Sequence, residues 1–438
     1  MASKSKRARL VKQRNLSKDF MYWAIAVFVI KLIIIGNVQG GAWLGADGEN
    51  YLKGYDAMVK DGIFSKESFL SYWPAGYPLF ILFLSLIGKS FVLTTLAVLQ
   101  SAIFSFCVYF FAAQLAETRL RKFSYIAFFM MILNPTLSLS SIAVGYESLT
   151  ASGFILILAL TILNFNKTEN QDKKIILLIA TTVGFMSFLQ PRLLISGLLI
   201  CMFLAFRKYH LRLGAVMALL SIIVALVMPS TLIYRNNQAI NLNTISTNGS
   251  AAFNMGAGIG ATGGYVTKAV GVPCVTKSTD PTKIENEKIV CILKWYLGNP
   301  KESMRLFFNK TIYFWSPWFG PVANGTMARN PWLEINPLKE ISSSPDGAKL
   351  VFGSFGKVIS WAWLLTGLVL LFAGARKLIF NGGTERAIGI VALIIILINW
   401  AVALITIGDH RFRVPIMGAS LFLQAVGLQY LVLRRKTD

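Results

Sequence analysis

Residues 41–78 read GAWLGADGENYLKGYDAMVKDGIFSKESFLSYWPAGYP and form a polar stretch between two apolar segments. This stretch contains five acidic residues, Asp47, Glu49, Asp56, Asp61 and Glu67, whereas the whole chain has 20 acids against 43 lysines and arginines. The concentration of acids in one short loop predicts that the loop has a function beyond joining its neighbours.

The composition around this loop is that of a membrane protein. The 438-residue chain is 55% hydrophobic and 14% charged, with a mean hydropathy of +0.59, whereas soluble domains have about 25% charged residues. Uncharged runs long enough to cross a bilayer recur, and only helices or closed barrels satisfy their backbone in hydrocarbon. The sequence therefore predicts an all-α polytopic membrane protein.

The apolar runs predict about ten spans with both termini cytoplasmic. They lie near 20–38, 91–115, 123–141, 148–165, 175–190, 193–206, 213–233, 356–375, 387–407 and 414–433. The run 77–88 is shorter than the roughly 20 residues that cross a bilayer. If it does not cross, the basic clusters at 119–122, 167–174 and 207–212 are all cytoplasmic, as the positive-inside rule expects.

The net charge of +23 does not indicate nucleic-acid binding, because the cations cluster in short segments between apolar runs. The basic N-terminus, from Lys4 to Lys18, predicts a cytoplasmic tail that lies on anionic membrane lipid. The first apolar run has no small-residue cleavage site after it, so we interpret it as an uncleaved span.

Three regions follow from this layout: 1–233 with a first outer loop at 39–90, an extracytoplasmic loop region at 234–355, and the C-terminal spans of 356–438. The run 247–265 is rich in Gly and Asn, which suits close backbone approach to a ligand, and makes Asn248 and Asn254 candidate substrate contacts. Basic and aromatic residues at helical spacing after 281 predict juxtamembrane helices. Cys274 and Cys291 are a candidate disulfide if this region is extracytoplasmic.

Two acids are candidates for chemistry on the predicted outer face. Asp47 and Tyr51 lie four apart, so they share a face if the stretch is helical, and a carboxylate near apolar walls can act as a general base. The alternative is a solvated loop acid or a helix N-cap. Glu147, in SIAVGYESL, is either a site residue or an acid favourably placed at a helix N-terminus.

Cations gather on the same predicted face. The turn GDHRFRVP at 408–415 carries His410, Arg411 and Arg413, and arginine suits a phosphate through its bidentate fork. The alternative is binding to lipid headgroups. Arg192 and Arg235 also lie at outer ends of spans. The chain has two histidines and no Cys/His metal spacing, although an oxygen-ligand site is not excluded.

Several stretches resemble the bacterial protein-mannosyltransferase-like (family 39-like) glycosyltransferases of the GT-C fold. They are ADGENYLKGYDAMVKDGIFS with SYWPAGYPLF, GYESL, IYRNNQAINLNTISTNGSAAFNMGAGIGATGGY, WYLGNPKESMRLFFNKTIYFWSP and HRFRVPIM. These motifs occur in the family's order across most of the chain. The chain departs from the family at Gly48, where many members have an acid, and at 256–258, where a Gly-Asn pair is common.

The resemblance implies an inverting transferase of the cell (inner) membrane that uses a polyprenyl-phosphate-linked sugar and an extracytoplasmic glycan, lipid or protein acceptor. Asp47 corresponds to the family's catalytic base. Tyr51, Glu147 and Arg192 are then expected to contact substrate, and Arg235, His410, Arg411 and Arg413 to hold the donor phosphate. No cofactor is required for this chemistry, and a divalent cation is compatible with it.

Two other classes of protein remain open. A transporter or flippase for lipid-linked sugars or solutes would have charges inside the spans and an inverted repeat, whereas here the spans are nearly uncharged. A scaffold subunit would need none of the candidate residues for chemistry.

Overall fold

The computed structural model of the protein describes residues 2–44, 47–166, 169–264, 270–278, 280–315 and 356–434. Helices dominate these ranges, which confirms the predicted all-α polytopic class. The long helices are α1 (Ala2–Gly36), α2 (Gly48–Asp61), α5 (Val92–Ala116), α8 (Glu147–Asn166), α9 (Glu169–Leu189), α10 (Leu194–Lys208), α11 (Leu211–Ile240), α13 (Pro281–Gly298), α14 (Pro300–Trp315), α15 (Gly356–Phe380), α16 (Gly383–Ile405) and α17 (Met417–Arg434).

Shorter elements connect these helices. They are α3 (Phe69–Tyr72), α4 (Gly76–Ser85), α6 (Ser124–Ile132), α7 (Pro135–Leu139) and α12 (Gly249–Met255), with strands β1 (Trp43–Leu44) and β2 (Ala143–Val144). The apolar helix α4 has 10 residues, too few to cross a bilayer. It covers most of the run 77–88, which the sequence predicts not to cross.

Six segments of the described chain are long and apolar enough to cross a membrane by length and composition. They are Leu16–Gly36, Lys89–Ala116, Glu147–Asn166, Leu211–Ile240, Gly383–Ile405 and His410–Val432. Three more of the predicted spans fall on α9, α10 and α15, which are not among these six. The count of ten therefore stays a prediction, and the predicted loop residues 316–355 lie outside the described ranges.

The span predicted near 123–141 is broken in the structure. Its two parts, Arg119–Ile132 and Pro135–Ile142, meet at an angle of 59°. Pro135 disfavours helical backbone at the residue before it, so the first helix ends there. Asn134 then caps α7, because its side chain accepts a hydrogen bond from the backbone N–H of Leu137. The chain after the bend leads to β2 and α8.

Helix α8 lies at the centre of the bundle. Its apolar window is 83% buried, against 22% for Leu16–Gly36 and 33% for Leu211–Ile240. It packs against α5, α9, α16 and α17. The outer helices leave apolar side chains such as Ile33 and Val227 exposed, as expected of surfaces that face lipid. The first residue of the central helix is Glu147.

The segment after α11 forms a small unit of its own. Helices α13 and α14 pack together around Ile292, Tyr296 and Leu306, and Ala257, Ala261 and Val272 join this cluster. Cys274 and Cys291 form a disulfide here, with Cα atoms 6.0 Å apart.

Removing this disulfide should destabilise that unit. A crosslink over 17 residues limits the freedom of the unfolded chain, and a loop of about 15 residues corresponds to about 3 kcal/mol. We expect the double variant Cys274→Ser/Cys291→Ser to unfold at a lower temperature than the wild type. A reductant should lower the wild-type Tm toward that of the variant and leave the variant unchanged. Equal Tm values would contradict the expectation.

Candidate active site

A two-residue parallel ladder brings the candidate acids together. Trp43 pairs with Ala143 and Leu44 with Val144. Asp47 and Glu147 each lie three residues beyond the last paired residue of their strand. Because the two strands run in the same direction, both chains leave the ladder at the same edge. The register therefore places the two carboxylates on one side of the bundle.

Each acid also stands at the start of a helix. Asp47 is the N-cap residue of α2, and Glu147 is in the first turn of α8. The positive end of a helix dipole favours negative charge at such positions. A Cβ atom on Gly48 would lie 3.0 Å from the carbonyl oxygen of Val144, so only a residue without a side chain lets α2 start this close to β2.

Arg411 is the cation between the two acids. Its Nη2 lies 2.9 Å from Oδ2 of Asp47, and its Nε lies 3.8 Å from Oε1 of Glu147. The 3-10 turn His410–Ile416 delivers this side chain, and Asp409 caps the turn by accepting a 2.8 Å hydrogen bond from the Arg411 N–H. One guanidinium is therefore shared by two carboxylates.

Three buried tyrosines form one wall beside the acids. The ring of Tyr51 lies 5.0 Å from that of Tyr77 and 6.3 Å from that of Tyr146, measured between centroids. Burial raises the pKa of Tyr51 well above its usual value, and the neighbouring Tyr146, Asp47 and Glu147 add to the rise. The phenol therefore stays protonated at neutral pH. The D-x-x-x-Y spacing does bring Tyr51 close to Asp47.

Arg192 completes the cluster from the break between α9 and α10. Its guanidinium lies 3.6 Å from the centroid of the Phe412 ring, and its Nη2 is 3.4 Å from the hydroxyl of Tyr146. Stacking on an aromatic face holds the planar group in one orientation. The structure thus brings Asp47, Tyr51, Glu147, Arg192 and Arg411 into one site.

The other predicted phosphate ligands have different partners. Arg235 is buried, and its guanidinium donates to the carbonyl oxygens of Ile63, Ser65 and Leu70. It therefore anchors the loop that follows α2. Arg413 donates to the carbonyl oxygen of Trp315 at 3.2 Å.

His410 stays in the turn that carries Arg411. Its Nδ1 lies 3.3 Å from the carboxylate of Asp409. The imidazole is buried. Its contact with Asp409, the residue that caps the turn, links it to Arg411.

The two asparagines predicted to contact substrate accept hydrogen bonds from Ser246 and Val272. Asn248 accepts a hydrogen bond from the hydroxyl of Ser246 at 3.1 Å. Asn254 accepts one from the N–H of Val272 at 2.8 Å.

Sequence reasoning gave no role to Asp409, Phe412, Tyr77 or Tyr146. The role of Asp409 could have been predicted, since an Asp side chain commonly accepts a hydrogen bond from the backbone N–H two residues later at the start of a turn. The two tyrosines and Phe412 had no such signal, because their importance depends on which helices meet. Within the described ranges, no group of three or more His, Cys, Asp and Glu side chains could hold a metal ion.

Lys310 of α14 lies behind the turn that carries Arg411. Its Nζ donates to the hydroxyl of Tyr296 at 2.6 Å and to the carbonyl oxygen of Leu404 at 2.9 Å. Gly408 packs on its backbone so closely that a Cβ atom would lie 2.4 Å from the Lys310 carbonyl oxygen. Burial lowers the pKa of Lys310 to about 7.

Neither a described protein family nor a curated protein matches the chain. Three solved structures of the Archaeoglobus fulgidus oligosaccharyltransferase are similar to it. The apo form has a TM-score of 0.49 and 12% identity over 94% of this chain and 51% of that chain.

The second is the archaeal enzyme AglB in complex with an inhibitory peptide and a dolichol-phosphate, with a TM-score of 0.48 and 13% identity over 94% and 51%. The third carries a tethered acceptor peptide, with a TM-score of 0.47 and 13% identity over 94% and 50%. The chain therefore spans about half the length of these proteins. Similarity at this level does not assign an activity to it.

Removing the shared guanidinium should destabilise the protein in a way that a second substitution repairs. Arg411→Gln leaves the carboxylates of Asp47 and Glu147 facing each other. Breaking a fully buried ion pair costs roughly 3–5 kcal/mol. We expect a smaller loss here, because Asp47 and Arg411 keep 22% and 24% side-chain exposure. Adding Glu147→Gln should recover part of the loss in Tm. Strictly additive effects of the two substitutions would show that the charges are not coupled.

Lys310 should make stability depend on pH. Its pKa is about 7 in the folded protein, against an ordinary value of 10.5. Between these values the unfolded chain binds more protons, so the free energy of unfolding rises with pH, by up to about 1.4 kcal/mol per pH unit. We expect the Tm of the wild type, relative to that of Lys310→Met, to rise between pH 7 and pH 9. Lys288→Met, on α13, is the control and should follow the wild type. A constant difference between wild type and Lys310→Met would refute the expectation.

Proposed function

We propose that the protein is a membrane glycosyltransferase of the GT-C type that transfers a sugar from a polyprenyl-phosphate-linked donor to an extracytoplasmic acceptor. The observation that carries this proposal is the cluster of Asp47, Glu147 and Arg411 at one end of a bundle of apolar helices. A carboxylate and a guanidinium in contact, beside membrane-crossing helices, suit a reaction that moves a proton and releases a lipid phosphate.

Asp47 acts as the general base in this scheme. Its carboxylate takes the proton of the acceptor hydroxyl, and the acceptor oxygen attacks the anomeric carbon of the sugar. The bond between that carbon and the phosphate oxygen breaks, and the lipid phosphate leaves with the electron pair. Attack from the face opposite the leaving group inverts the anomeric centre.

Arg411 connects the proton transfer to donor binding. In the structure its guanidinium is 2.9 Å from Asp47, so it neutralises the base. A donor phosphate that enters the site competes for this guanidinium, since arginine binds phosphate bidentately. The carboxylate of Asp47 is then released toward the acceptor. Glu147 keeps the other side of Arg411 in place.

Further positive potential comes from neighbouring groups. The N-termini of α2 and α8 point toward the two acids, and helix N-termini attract phosphate. Arg192 is the second arginine of the cluster, held against Phe412. His410 and Arg413 belong to the same turn as Arg411. We assign Arg235 a different role, because its donors hold the loop after α2.

The loop between α1 and α5 is the lid in this scheme. It contains α2, α3 and α4, and Arg235 ties its middle to α11 through the carbonyl oxygens of residues 63, 65 and 70. A lid that excludes water limits hydrolysis of the donor. In this arrangement the active site lies on the extracytoplasmic face, and both termini are cytoplasmic.

Asp47→Asn should abolish transfer while leaving the fold intact. A general base contributes about 10²–10⁴-fold to the rate, so we expect a loss in this range when purified protein is offered a panel of polyprenyl-phosphate sugars with acceptor extracts. Glu49→Gln is the matched control, since Glu49 pairs with Lys53 and its side chain is 72% exposed. It should keep wild-type turnover.

The outcomes of this experiment separate the proposed function from its alternatives. Turnover that Asp47→Asn retains would remove Asp47 from the role of base. Binding of the lipid donor with no transfer or hydrolysis by any variant would favour a transporter. If no polyprenyl phosphate binds, the proposed function is wrong.

A further inference from the structure

A chain of buried hydrogen bonds runs beneath the candidate site and ends at the residues that precede Glu147. The side-chain amide of Gln100, on α5, donates to the carbonyl oxygens of Ser141 at 3.3 Å and Ala143 at 2.9 Å. The Gln100 carbonyl accepts from the hydroxyl of Tyr77 at 3.1 Å. That hydroxyl in turn accepts from the backbone N–H of Gly145 at 2.8 Å.

A second tier of the chain lies below the first. The side-chain nitrogen of Lys31, on α1, donates to the hydroxyl of Ser141 at 3.1 Å and lies 4.1 Å from the centroid of the Phe104 ring. The hydroxyl of Ser101 lies 3.0 Å from that of Ser141, which itself donates to the carbonyl oxygen of Ser138 at 2.8 Å. Lys31 and Ser101 therefore hold Ser141, the first residue of the segment 141–145.

These groups are costly where they lie. Lys31, Gln100 and Tyr77 are at most 1% exposed, and Lys31 lies within a candidate span. Ionisable and polar side chains buried in membrane helices cost several kcal/mol and mark functional positions. The side-chain hydrogen bonds of Gln100 and Tyr77 described above go to the backbone of residues 141–145 or to each other. These buried polar side chains therefore all support one segment, residues 141–145.

That segment sets the position of both acids. Ala143 and Val144 form β2, whose ladder fixes β1 and hence the approach to Asp47. Gly145 and Tyr146 then lead directly into Glu147. Space here is tight, because a Cβ atom on Gly145 would lie 2.4 Å from a carboxylate oxygen of Glu147. Gly145 lies two residues before Glu147, so a shift of its backbone is passed to the start of α8, where this carboxylate lies near Arg411.

We propose that Tyr77 and Gln100 are positioning residues, which hold the 141–145 backbone so that Glu147 and Asp47 meet at Arg411. The proposal rests on the proposed function for its kinetic part alone. Lys31 supports the same segment from below through Ser141. None of the three touches the reacting atoms.

Tyr77→Phe tests the proposal, because it removes one hydroxyl and keeps the ring against Tyr51. We expect faster hydrogen exchange of the amides within residues 143–147, measured on the resting protein, which needs no turnover. We also expect kcat to fall about ten- to a hundred-fold, since a misplacement of about 1 Å costs on the order of 10²-fold, with KM for the donor unchanged. Gln100→Glu, which keeps the shape and loses the amide donors, should show the same pattern.

Thr161→Val is the matched control. It removes another buried hydroxyl from α8, whose 2.8 Å hydrogen bond goes to the carbonyl oxygen of Ile157. It should leave the exchange at 143–147 and kcat unchanged. Exchange that rises across the whole chain in Tyr77→Phe, or local exchange that rises with kcat equal to that of Thr161→Val, would overturn the proposal.

If the wild type transfers no sugar at all, the proposed function fails. The exchange measurement then still decides whether Tyr77 holds the segment. Unchanged exchange at 143–147 in both Tyr77→Phe and Gln100→Glu would overturn the proposal by itself.

Discussion

The structure depends on satisfying the backbone where a membrane helix is interrupted. In hydrocarbon, an unpaired N–H or C=O costs several kcal/mol, so irregular backbone persists only where the protein supplies partners. Between α7 and α8 the chain passes through a 3-10 turn at Ser140–Ile142 into strand β2. Gln100 and Tyr77 supply partners for Ser141, Ala143 and Gly145. These hydrogen bonds hold the residues of strand β2, and the pairing of β2 with β1 brings Asp47 and Glu147 to the same site.

The placement of the charged groups in the site depends on the β1–β2 ladder. Because α2 and α8 both begin beside the ladder, their positive ends face Asp47 and Glu147. Two unit charges about 4 Å apart interact by about 4 kcal/mol at the effective dielectric of a partly buried protein site. Asp47 and Glu147 both lie within this range of Arg411, whose positive charge offsets the repulsion between the two carboxylates. Any anion that enters must compete with an acid for the same guanidinium, and in the proposed mechanism this competition would couple donor binding to release of the base.

Several parts of this arrangement could be predicted from residues. The acid-rich loop marked Asp47, and the lone acid between two apolar runs marked Glu147. The cations of 408–415 marked Arg411 as a ligand for the donor phosphate, whereas in the structure it pairs with Asp47. The roles of the other cations could not be predicted in this way. Arg235 and Arg413 have the same chemistry as Arg411, yet they donate to backbone carbonyl oxygens. Which arginine meets an acid depends on helix packing, since a guanidinium can donate to a carbonyl, a carboxylate or a phosphate.

The sequence predicts an all-α membrane protein, because composition and the length of apolar runs are local properties that determine whether a segment can cross the hydrocarbon core. It also marked the acids and cations that are out of place in such a chain. Only the tertiary structure set the register in which residues 44 and 144 pair. It likewise decided that Tyr77 and Gln100 serve the same short backbone segment. These contacts join residues that are tens to hundreds of positions apart, and their energy exists only once the helices have packed.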